Sequence, residues 1–316
     1  MWYFLQMPKL IKAIFIILLF NSVAFADDNI TKVIDRGISK TLTSIGEVIT
    51  EAIPGEGDTE ITISEQENYD IKYSILVVRP LAMNPLSMLE NKHLYFTQIR
   101  FGNHEPFAND DERHLLNLGF GLRSLANNNN AVIGANVFYD YEFDEGHSRA
   151  SVGVEYLASN FQLSANIYDR LSESESYTSG STTLIEEVLN GYDFSIVGQV
   201  PYLPWANIIY NGYRWDQSGP DLEGNRISLE AKILRGMVFE YGRNDIDNAS
   251  DDEHFYNLTL RWPNDHRGLP TIFTNSVSDY AFSEKNMENE MLHKVRRTNN
   301  IITQRSGGGA VVARGT

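Results

Sequence analysis

Cysteine is absent from this chain of 316 residues. Without thiols the chain can form no disulfide framework, no cysteine-ligated zinc site and no thiol-based redox centre. The absence is compatible with a protein that passes unfolded through an oxidising compartment, where stray thiols could pair wrongly. Composition therefore excludes several classes of function without yet indicating one.

A second absence is that of a long apolar run. Beyond residue 26, no segment approaches the roughly 20 consecutive apolar residues that a membrane-spanning helix needs. The strands of a membrane barrel alternate lipid-facing and lumen-facing residues, so their average hydropathy also stays near neutral. Hydropathy alone thus leaves both a soluble protein and a transmembrane β-barrel open.

A basic surface is missing as well, because 42 acidic residues outweigh 26 basic ones and give a net charge of −16. Nucleic-acid binding needs a basic footprint, so we expect no nucleic-acid partner. We interpret the acidic residues as solvated surface and loops. Aromatic residues, in contrast, are plentiful, with 16 Tyr and 16 Phe.

The first feature that the sequence does contain is an export signal. Lys9 and Lys12 flank the start of an apolar run, Ile11 to Phe20, and Ala24-Phe25-Ala26 follows it. A basic region, a short apolar core and an A-x-A site are typical of a secretory signal peptide. We predict a signal peptide over residues 1–26.

Residues 27–58 are predicted to form a short helical segment. Apolar residues between Thr31 and Ile53 recur at spacings of three and four, and Pro54-Gly55 ends this pattern. The segment is too short to hold a peptidoglycan-binding module.

Beyond residue 58 the apolar pattern changes to a period of two, which predicts β-strands. Ten residues at roughly 3.3 Å each, tilted by about 40°, cover the ~25 Å apolar band of an outer-membrane barrel. Strands of a soluble β-sandwich, the competing architecture, are typically about five or six residues long. We therefore predict a barrel over residues 59–262. Its twelve strands are expected at 59–66, 69–79, 94–101, 113–123, 131–142, 148–157, 160–169, 192–200, 205–215, 225–234, 237–244 and 253–262.

One face of each predicted strand is apolar, and the other is small, polar or charged. In the closing strand, Leu258, Leu260 and Trp262 share the apolar face. On a barrel the apolar face contacts lipid and the polar face lines a wet lumen. By resemblance to outer-membrane proteins generally, the terminal aromatic residue of this strand is expected to matter for insertion. The charged residues that we predict to face the lumen are Arg123, Glu155, Arg226, Glu230, Lys232 and Arg261.

The connections between the predicted strands alternate between short and long. Ala158-Ser159 and Arg235-Gly236 are tight, whereas Gly102 to Glu112 and Leu171 to Asn190 are long and polar. If the first strand starts from the periplasmic side, the tight turns lie on that side and the long loops lie outside.

Whole strands also resemble, in the right order, the β-domain of the inverse autotransporters, the intimin/invasin family. The similar stretches include HLYFTQIRFG (93–102), LLNLGFGLRSL (115–125), VIGANVFYDYEF (132–143) and NGYDFSIVGQVPYLPWANIIYNGYRW (190–215). The resemblance implies an all-β fold, a 12-stranded antiparallel transmembrane β-barrel in outer-membrane lipid, with a short N-terminal periplasmic helix. It also implies assembly by periplasmic chaperones and the barrel-assembly machinery.

The same resemblance implies a linker, residues 263–305, that runs back through the pore and carries an adhesive passenger outside. The segment with Arg296, Arg297, Asn299 and Asn300 resembles the asparagine-rich stretch that follows the barrel in the family. A polar, moderately helical segment suits a lumen whose polar lining or water can satisfy its backbone groups.

Residues 306–316 begin with Ser306 and three glycines and are predicted to be a short flexible tail. Because no Ig-like repeats are present, we expect an anchor whose passenger is truncated or lost. A host-cell or surface receptor is expected only if a passenger exists. The alternative is a stand-alone porin-like channel in the outer membrane.

Catalysis is not expected. His104, His147 and His254 lie beside acidic residues in or near predicted loops, where a His–carboxylate pair could activate water, but no nucleophile motif accompanies them. The acidic runs at 109–112 and 245–253 lack the glycine and terminal glutamate of an EF-hand loop. We predict no catalytic residue, no cofactor and no metal site.

Overall fold

A computed structural model gives the conformation of most of the chain. It describes residues 55–67, 69–81, 93–107, 111–179, 182–247, 252–262, 270–273, 277–306 and 311–312. The predicted signal peptide and nearly all of the predicted helical segment lie outside these residues. Within the described ranges, no helix is long and apolar enough to cross a membrane.

The described residues form sixteen strands, of which twelve close into a barrel. In chain order the strands are β1 (Thr59–Gln66), β2 (Lys72–Pro80), β3 (His93–His104), β4 (Arg113–Ala126), β5 (Ala131–Glu142), β6 (Ser148–Ala158), β7 (Phe161–Arg170), β8 (Glu175–Ser179), β9 (Thr182–Val188), β10 (Gly191–Val200), β11 (Leu203–Trp215), β12 (Leu222–Leu234), β13 (Met237–Ile246), β14 (Glu253–Trp262), β15 (Thr303–Ser306) and β16 (Val311–Val312).

The barrel follows the order of the strands in the chain, apart from the hairpin β8–β9. β7 pairs with β10, and β14 closes the sheet against β1 with Thr59 opposite Trp262. The predicted 12-stranded antiparallel barrel is confirmed, and each predicted segment coincides with one strand. β12 begins at Leu222 rather than at residue 225, because its backbone pairing with β11 continues as far as Trp215.

Alternate residues of each strand point to opposite sides of the barrel wall. In β6, Val152 and Val154 are 60% and 57% exposed, whereas Ser151 and Glu155 are 3% and 4% exposed. Because successive side chains of a strand point to opposite faces, the exposed valines lie on the outward face and the buried polar residues on the inward face. The wall therefore presents apolar side chains outward and polar side chains to its lumen.

A second, smaller sheet has the strand order β16-β15-β9-β8. The hairpin β8–β9 lies within the predicted long loop from Leu171 to Asn190, and β15 pairs with β9, with Thr303 opposite Val188. The sequence predicted a long polar loop over 171–190 and a short flexible tail over 306–316, whereas the structure has the paired strands β8 and β9 in the loop and β16 paired with β15 in the tail. Such short strands show little alternation of apolar and polar residues. Because β9 pairs with β15, which lies far along the chain, the local sequence pattern did not indicate the pairing.

The two ends of the barrel differ in their connections. At one end, which we call the turn end, tight connections such as 127–130, 159–160 and 235–236 join neighbouring strands. At the opposite end, which we call the loop end, the connections include 105–112 and the hairpin-bearing 171–190. The predicted alternation of short and long connections holds for these connections, whereas β2 and β3 are joined at the turn end by the twelve residues 81–92.

After β14 the chain follows the turn end before it enters the lumen. Backbone hydrogen bonds join Ser278 N to Tyr202 O at 2.8 Å and Met287 N to Asn129 O at 2.7 Å. The chain therefore contacts the β10–β11 connection and then the β4–β5 connection.

The outward face of β6 gives a first prediction. The sequence predicts that this face contacts lipid, so Val154→Arg should destabilise the barrel by about 2–4 kcal/mol, because it places a charge in the apolar band. Val154→Leu keeps the side chain apolar and serves as the matched control. Urea unfolding of the barrel in lipid vesicles measures both. Equal stability of the two variants would contradict the assignment of this face to lipid.

Candidate functional site

The lumen holds the chain's own residues 285–302, which we call the pore segment. The segment enters at the turn end, where Lys285 N donates to Ser159 Oγ at 2.8 Å. It leaves at the loop end, where Ile302 O accepts from Leu189 N at 2.8 Å. The only helix described in it is a 3-10 turn, Met287–Glu290, so the predicted helical character is limited to four residues. Its extended backbone needs hydrogen-bond partners from the wall.

Near the turn end, Arg123 binds the backbone of the pore segment. Its Nη1 donates to the carbonyl oxygens of Met291 at 2.9 Å and His293 at 2.5 Å. Its Nε and Nη2 donate to Glu155 at 2.7 and 3.0 Å, and its guanidinium lies 4.4 Å from the ring centroid of Phe96. One buried cation thus satisfies two carbonyl groups while a wall carboxylate neutralises it.

The next residues of the pore segment bind side chains of β3 and β1, the two strands that flank β2. Val295 N donates to Gln98 Oε1 at 2.8 Å. Lys294 Nζ donates to Glu60 Oε2 at 2.8 Å, and Arg261 Nε donates to the other oxygen of Glu60 at 2.6 Å. Glu60 in the first strand therefore joins the closing strand to the pore segment.

Asp140 lies between two guanidinium groups, two residues before β5 ends at the loop end. Arg297 of the pore segment donates to both of its oxygens at 2.9 and 2.6 Å. Arg149 of β6 donates to Oδ2 from Nε at 3.0 Å and from Nη2 at 2.8 Å, and Asn117 Nδ2 donates to Oδ1 at 2.7 Å. All three charged side chains are fully buried. A buried charge without partners would cost several kcal/mol, so this arrangement strongly favours one position of the segment.

Aromatic rings also contact the guanidinium groups of Arg297 and Arg149. Arg297 lies 4.3 Å from the ring centroid of Phe138 and 5.4 Å from that of Tyr168. Arg149 lies 4.3 Å from Tyr168 and 5.7 Å from Trp215. Cation–π contacts of this kind strengthen when the groups are shielded from water. The rings therefore support the charge pairs at Asp140.

Asp193 binds the pore segment one residue further along. Its Oδ2 accepts from Thr298 N at 2.7 Å and from Thr298 Oγ1 at 2.6 Å. Tyr168 Oη donates to the same oxygen at 2.7 Å, and Asn166 donates to Oδ1 at 2.7 Å and to the carbonyl of Arg296 at 3.0 Å. Both the backbone and a side chain of the segment are thus recognised at this point.

The wall of β11, β12 and β14 is less closely packed against the pore segment. A polar cavity of about 50 Å³ remains there, and Lys232 and Arg261 are among its lining residues. Arg296 reaches across it to Glu230, with 3.3 Å between Nη2 and Oε2, and to Gln162 at the same distance.

At the loop end, a buried cluster of charges joins the hairpin β8–β9 to the barrel. Arg113 of β4 donates to both oxygens of Glu186 in β9, at 2.7 and 3.0 Å, and to Glu142 at 3.0 Å. His104 Nε2 lies 2.6 Å from Glu142 Oε2, and His147 Nε2 lies 3.3 Å from Glu186 Oε1. None of these five side chains is more than 4% exposed.

Glu186 also receives a residue that follows the pore segment. Arg305 of β15 donates from Nε to Glu186 Oε2 at 2.9 Å, and its guanidinium lies 3.9 Å from the ring centroid of Phe107. Burial raises the pKa of Glu186, but the neighbouring His147 and Arg113 lower it below its usual range. Glu186 is therefore a carboxylate shared by the barrel and the departing chain.

The residues predicted to face the lumen all lie on the inward side of their strands. The contacts given above involve Arg123, Glu155, Glu230 and Arg261. Lys232 lines the cavity. Arg226 does not reach the pore segment in any of these contacts, and instead stacks on Phe255 of β14 at 4.0 Å.

The predicted exit residues differ in what they do. Arg296 and Arg297 form ion pairs with the wall, whereas Asn299 accepts from Asn117 Nδ2 through its backbone carbonyl at 2.9 Å. Asn300 is buried.

In the closing strand, Leu258 and Leu260 are half-buried on the outward face. Trp262 belongs to the same face by its position in the strand, but it is only 4% exposed. It lies opposite Thr59 of β1.

Sequence reasoning missed several residues of the site. Asp140 and Gln98 lie on the inward faces of β5 and β3, so the same period-two pattern that indicated Arg123 could have indicated them. Asn117 shares the predicted polar face of β4 with Arg123, but the sequence gave it no role in the site. Glu186 carried no such signal, because its strand was taken for a loop.

Comparison with known proteins agrees with this architecture. Residues 25–299 match the family model of the inverse autotransporter β-domain. Intimin of Escherichia coli O111:H- is 27% identical over 209 residues, which are 61% of this chain and 21% of that protein. The inverse autotransporter adhesin YeeJ of Escherichia coli K12 is 26% identical over 194 residues, which are 60% of this chain and 8% of that protein. The chain thus spans about a fifth or less of these relatives.

One solved structure supports the fold. It is described as "Unveiling the Mechanism Behind the in-meso Crystallization of Membrane Proteins", and it matches with a TM-score of 0.61 at 19% identity over 79% of this chain and 99% of that one. The chain belongs to the inverse autotransporter β-domain family, a family of β-barrels of the bacterial outer membrane.

Proposed function

We propose that this barrel is the translocator and anchor of an inverse autotransporter, which leads its own C-terminal chain through its lumen to the cell surface. The observation that carries the proposal is the pore segment, which enters at the turn end and leaves at the loop end. We infer that the turn end faces the periplasm, because outer-membrane barrels have short periplasmic turns and longer external loops.

The contacts inside the lumen suit both the passage of a peptide chain and its arrest at one position. Several wall side chains donate to backbone carbonyls, which every peptide carries, so they can accept a chain of any sequence. The ion pair of Arg297 with Asp140 instead requires one particular residue at one particular height. Barrel side chains that donate to pore-segment carbonyls include Ser159 to Lys285, Arg123 to Met291 and His293, Asn166 to Arg296, Arg149 to Thr298, and Asn117 to Asn299.

The partners follow from this role. We propose that the outward face contacts outer-membrane lipid, and that periplasmic chaperones and the barrel-assembly machinery deliver the chain and recognise its closing strand with Leu258, Leu260 and Trp262. Adhesion to a host cell or surface receptor would belong to a C-terminal passenger, as the description of YeeJ as an adhesin suggests for that relative. We propose no catalytic role.

The porin-like alternative requires an open lumen. In the described residues the pore segment occupies the lumen, and the polar cavity beside Lys232 and Arg261, about 50 Å³, would hold only a few water molecules. No contact described above favours the alternative.

The direction of the pore segment gives a prediction on intact cells. An epitope tag added after Thr316 should bind antibody without permeabilisation, because the chain leaves the barrel at the loop end. A tag inserted in the connection 127–130 at the turn end is the matched control and should bind only after the outer membrane is opened. A C-terminal tag that behaves like the control would contradict the proposal.

Arg297 gives a prediction about conductance. Arg297→Ala removes one of the two cations at Asp140, and the loss of a partner from a buried ion pair costs about 3–5 kcal/mol. The pore segment should then be held less firmly, so single barrels in planar bilayers should open more often than wild-type barrels.

Two further variants give the conductance experiment its controls. Arg297→Lys keeps the charge but loses the two-pronged contact, so its opening frequency should lie between those of the wild type and Arg297→Ala. Arg214→Ala removes an exposed ion pair at the loop end and should leave the wild-type record unchanged. Equal opening of the wild type and Arg297→Ala would show that this contact does not hold the segment.

A further inference from the structure

We propose that β9 is a docking strand for the emerging chain, and that the pairing of Arg305 with Glu186 sets the register at which the chain stops. The inference rests on the proposed translocation function and adds to it a binding site for an extended peptide outside the barrel wall. It is carried by the contacts of the hairpin, of β15 and of the two isoleucines that precede β15.

The hairpin is fixed to the barrel without help from the chain that it receives. Arg113 holds Glu186 through both carboxylate oxygens and also binds Glu142 at the end of β5. On the exposed side, Arg170 Nη1 donates to Glu187 at 2.8 Å. These contacts join β9 to β4, β5 and β7, so the strand is in position before any chain arrives.

β9 offers one edge to the lumen exit, because its other edge is paired with β8. The free edge of a strand presents backbone donors and acceptors that pair readily with an extended chain. β15 occupies this edge in antiparallel order, from Thr303 opposite Val188 to Ser306 opposite Ile185. Backbone pairing of this kind accepts many sequences and explains how successive segments could be received.

The side chain of Arg305 adds the selectivity that backbone pairing lacks. In the observed register it lies opposite Glu186 and donates to it at 2.9 Å, beside the ring of Phe107. A shift by one residue would turn the arginine to the other face of the strand, and a shift by two would move it past the carboxylate. The ion pair therefore selects one register.

Two apolar residues directly before β15 oppose movement back into the lumen. Ile301 packs with Leu115 and Val188, and Ile302 packs in a cluster that includes Leu189. Both isoleucines are at most 1% exposed. Inward movement would draw them from these apolar contacts toward the charged side chains at Asp140, where apolar residues have no matching partners.

The absence of cysteine makes the docking directly measurable. Thr303→Cys would carry the chain's only thiol at a fully buried position of the docked strand. In purified barrel in lipid vesicles, a membrane-impermeant maleimide should label this thiol slowly. Adding Arg305→Ala should speed labelling by about tenfold, because a hydrogen bond to a charged group is lost while Glu186 keeps Arg113.

Matched variants distinguish the loss of docking on β9 from a general loosening of the loops. Arg243→Ala in β13 removes an exposed ion pair with Asp252 and should leave the labelling rate of Thr303→Cys within about twofold of its parent. Arg305→Lys should keep most of the protection. Equal labelling rates with and without Arg305→Ala would overturn the proposal, as would rapid labelling of Thr303→Cys alone. Heat-modifiable gel mobility shows that each variant is a folded barrel.

This experiment fails independently of the proposed function. A C-terminal tag that never reaches the cell surface would contradict translocation, whatever the labelling rates are. A surface-exposed tag together with a labelling rate that ignores Arg305 would leave translocation intact and refute the register stop.

Discussion

The backbone of a chain that crosses a barrel must find a hydrogen-bond partner for its polar groups, and the structure depends on this constraint. A closed sheet satisfies its own strands, but among the described residues the pore segment pairs with no strand inside the lumen. Side chains of the inward face supply the partners instead, with Arg123 binding two carbonyls and Gln98 and Asp193 accepting from backbone amides. The alternation that makes the outside apolar is therefore the same feature that makes the inside able to hold a chain.

Ion pairs fix the position of the pore segment, in addition to the hydrogen bonds that could hold any peptide backbone. The wall contributes the carboxylates Glu60, Asp140 and Glu230, and the pore segment brings Lys294, Arg297 and Arg296 to them. Buried ion pairs add little net stability compared with apolar packing, but a charge moved away from its partner is costly. Such pairs therefore suit a device that must hold a chain in one place. The same principle recurs at the loop end, where Glu186 is shared by Arg113 and Arg305.

The sequence predicted the barrel well because the period of two is a local property, repeated in every strand. All twelve strands and the inward position of Arg123 followed from it, and the family resemblance indicated the route of the linker. The partners of that linker were harder to foresee. Asp140 binds Arg297 across 157 positions of the chain, and Glu186 binds Arg305 across 119. Such pairs depend on the closure of the barrel and on the register of a short polar hairpin, neither of which has a local pattern.

Translocation as proposed depends above all on the barrel wall holding the pore segment inside the lumen. Hydrogen exchange of the barrel in lipid, followed by mass spectrometry, tests this most directly, since Val295 N and Thr298 N donate to wall side chains. We expect peptides covering residues 294–302 to exchange as slowly as those from the barrel strands. Exchange of these peptides at the rate of an unstructured tail, with the strands still protected, would contradict it.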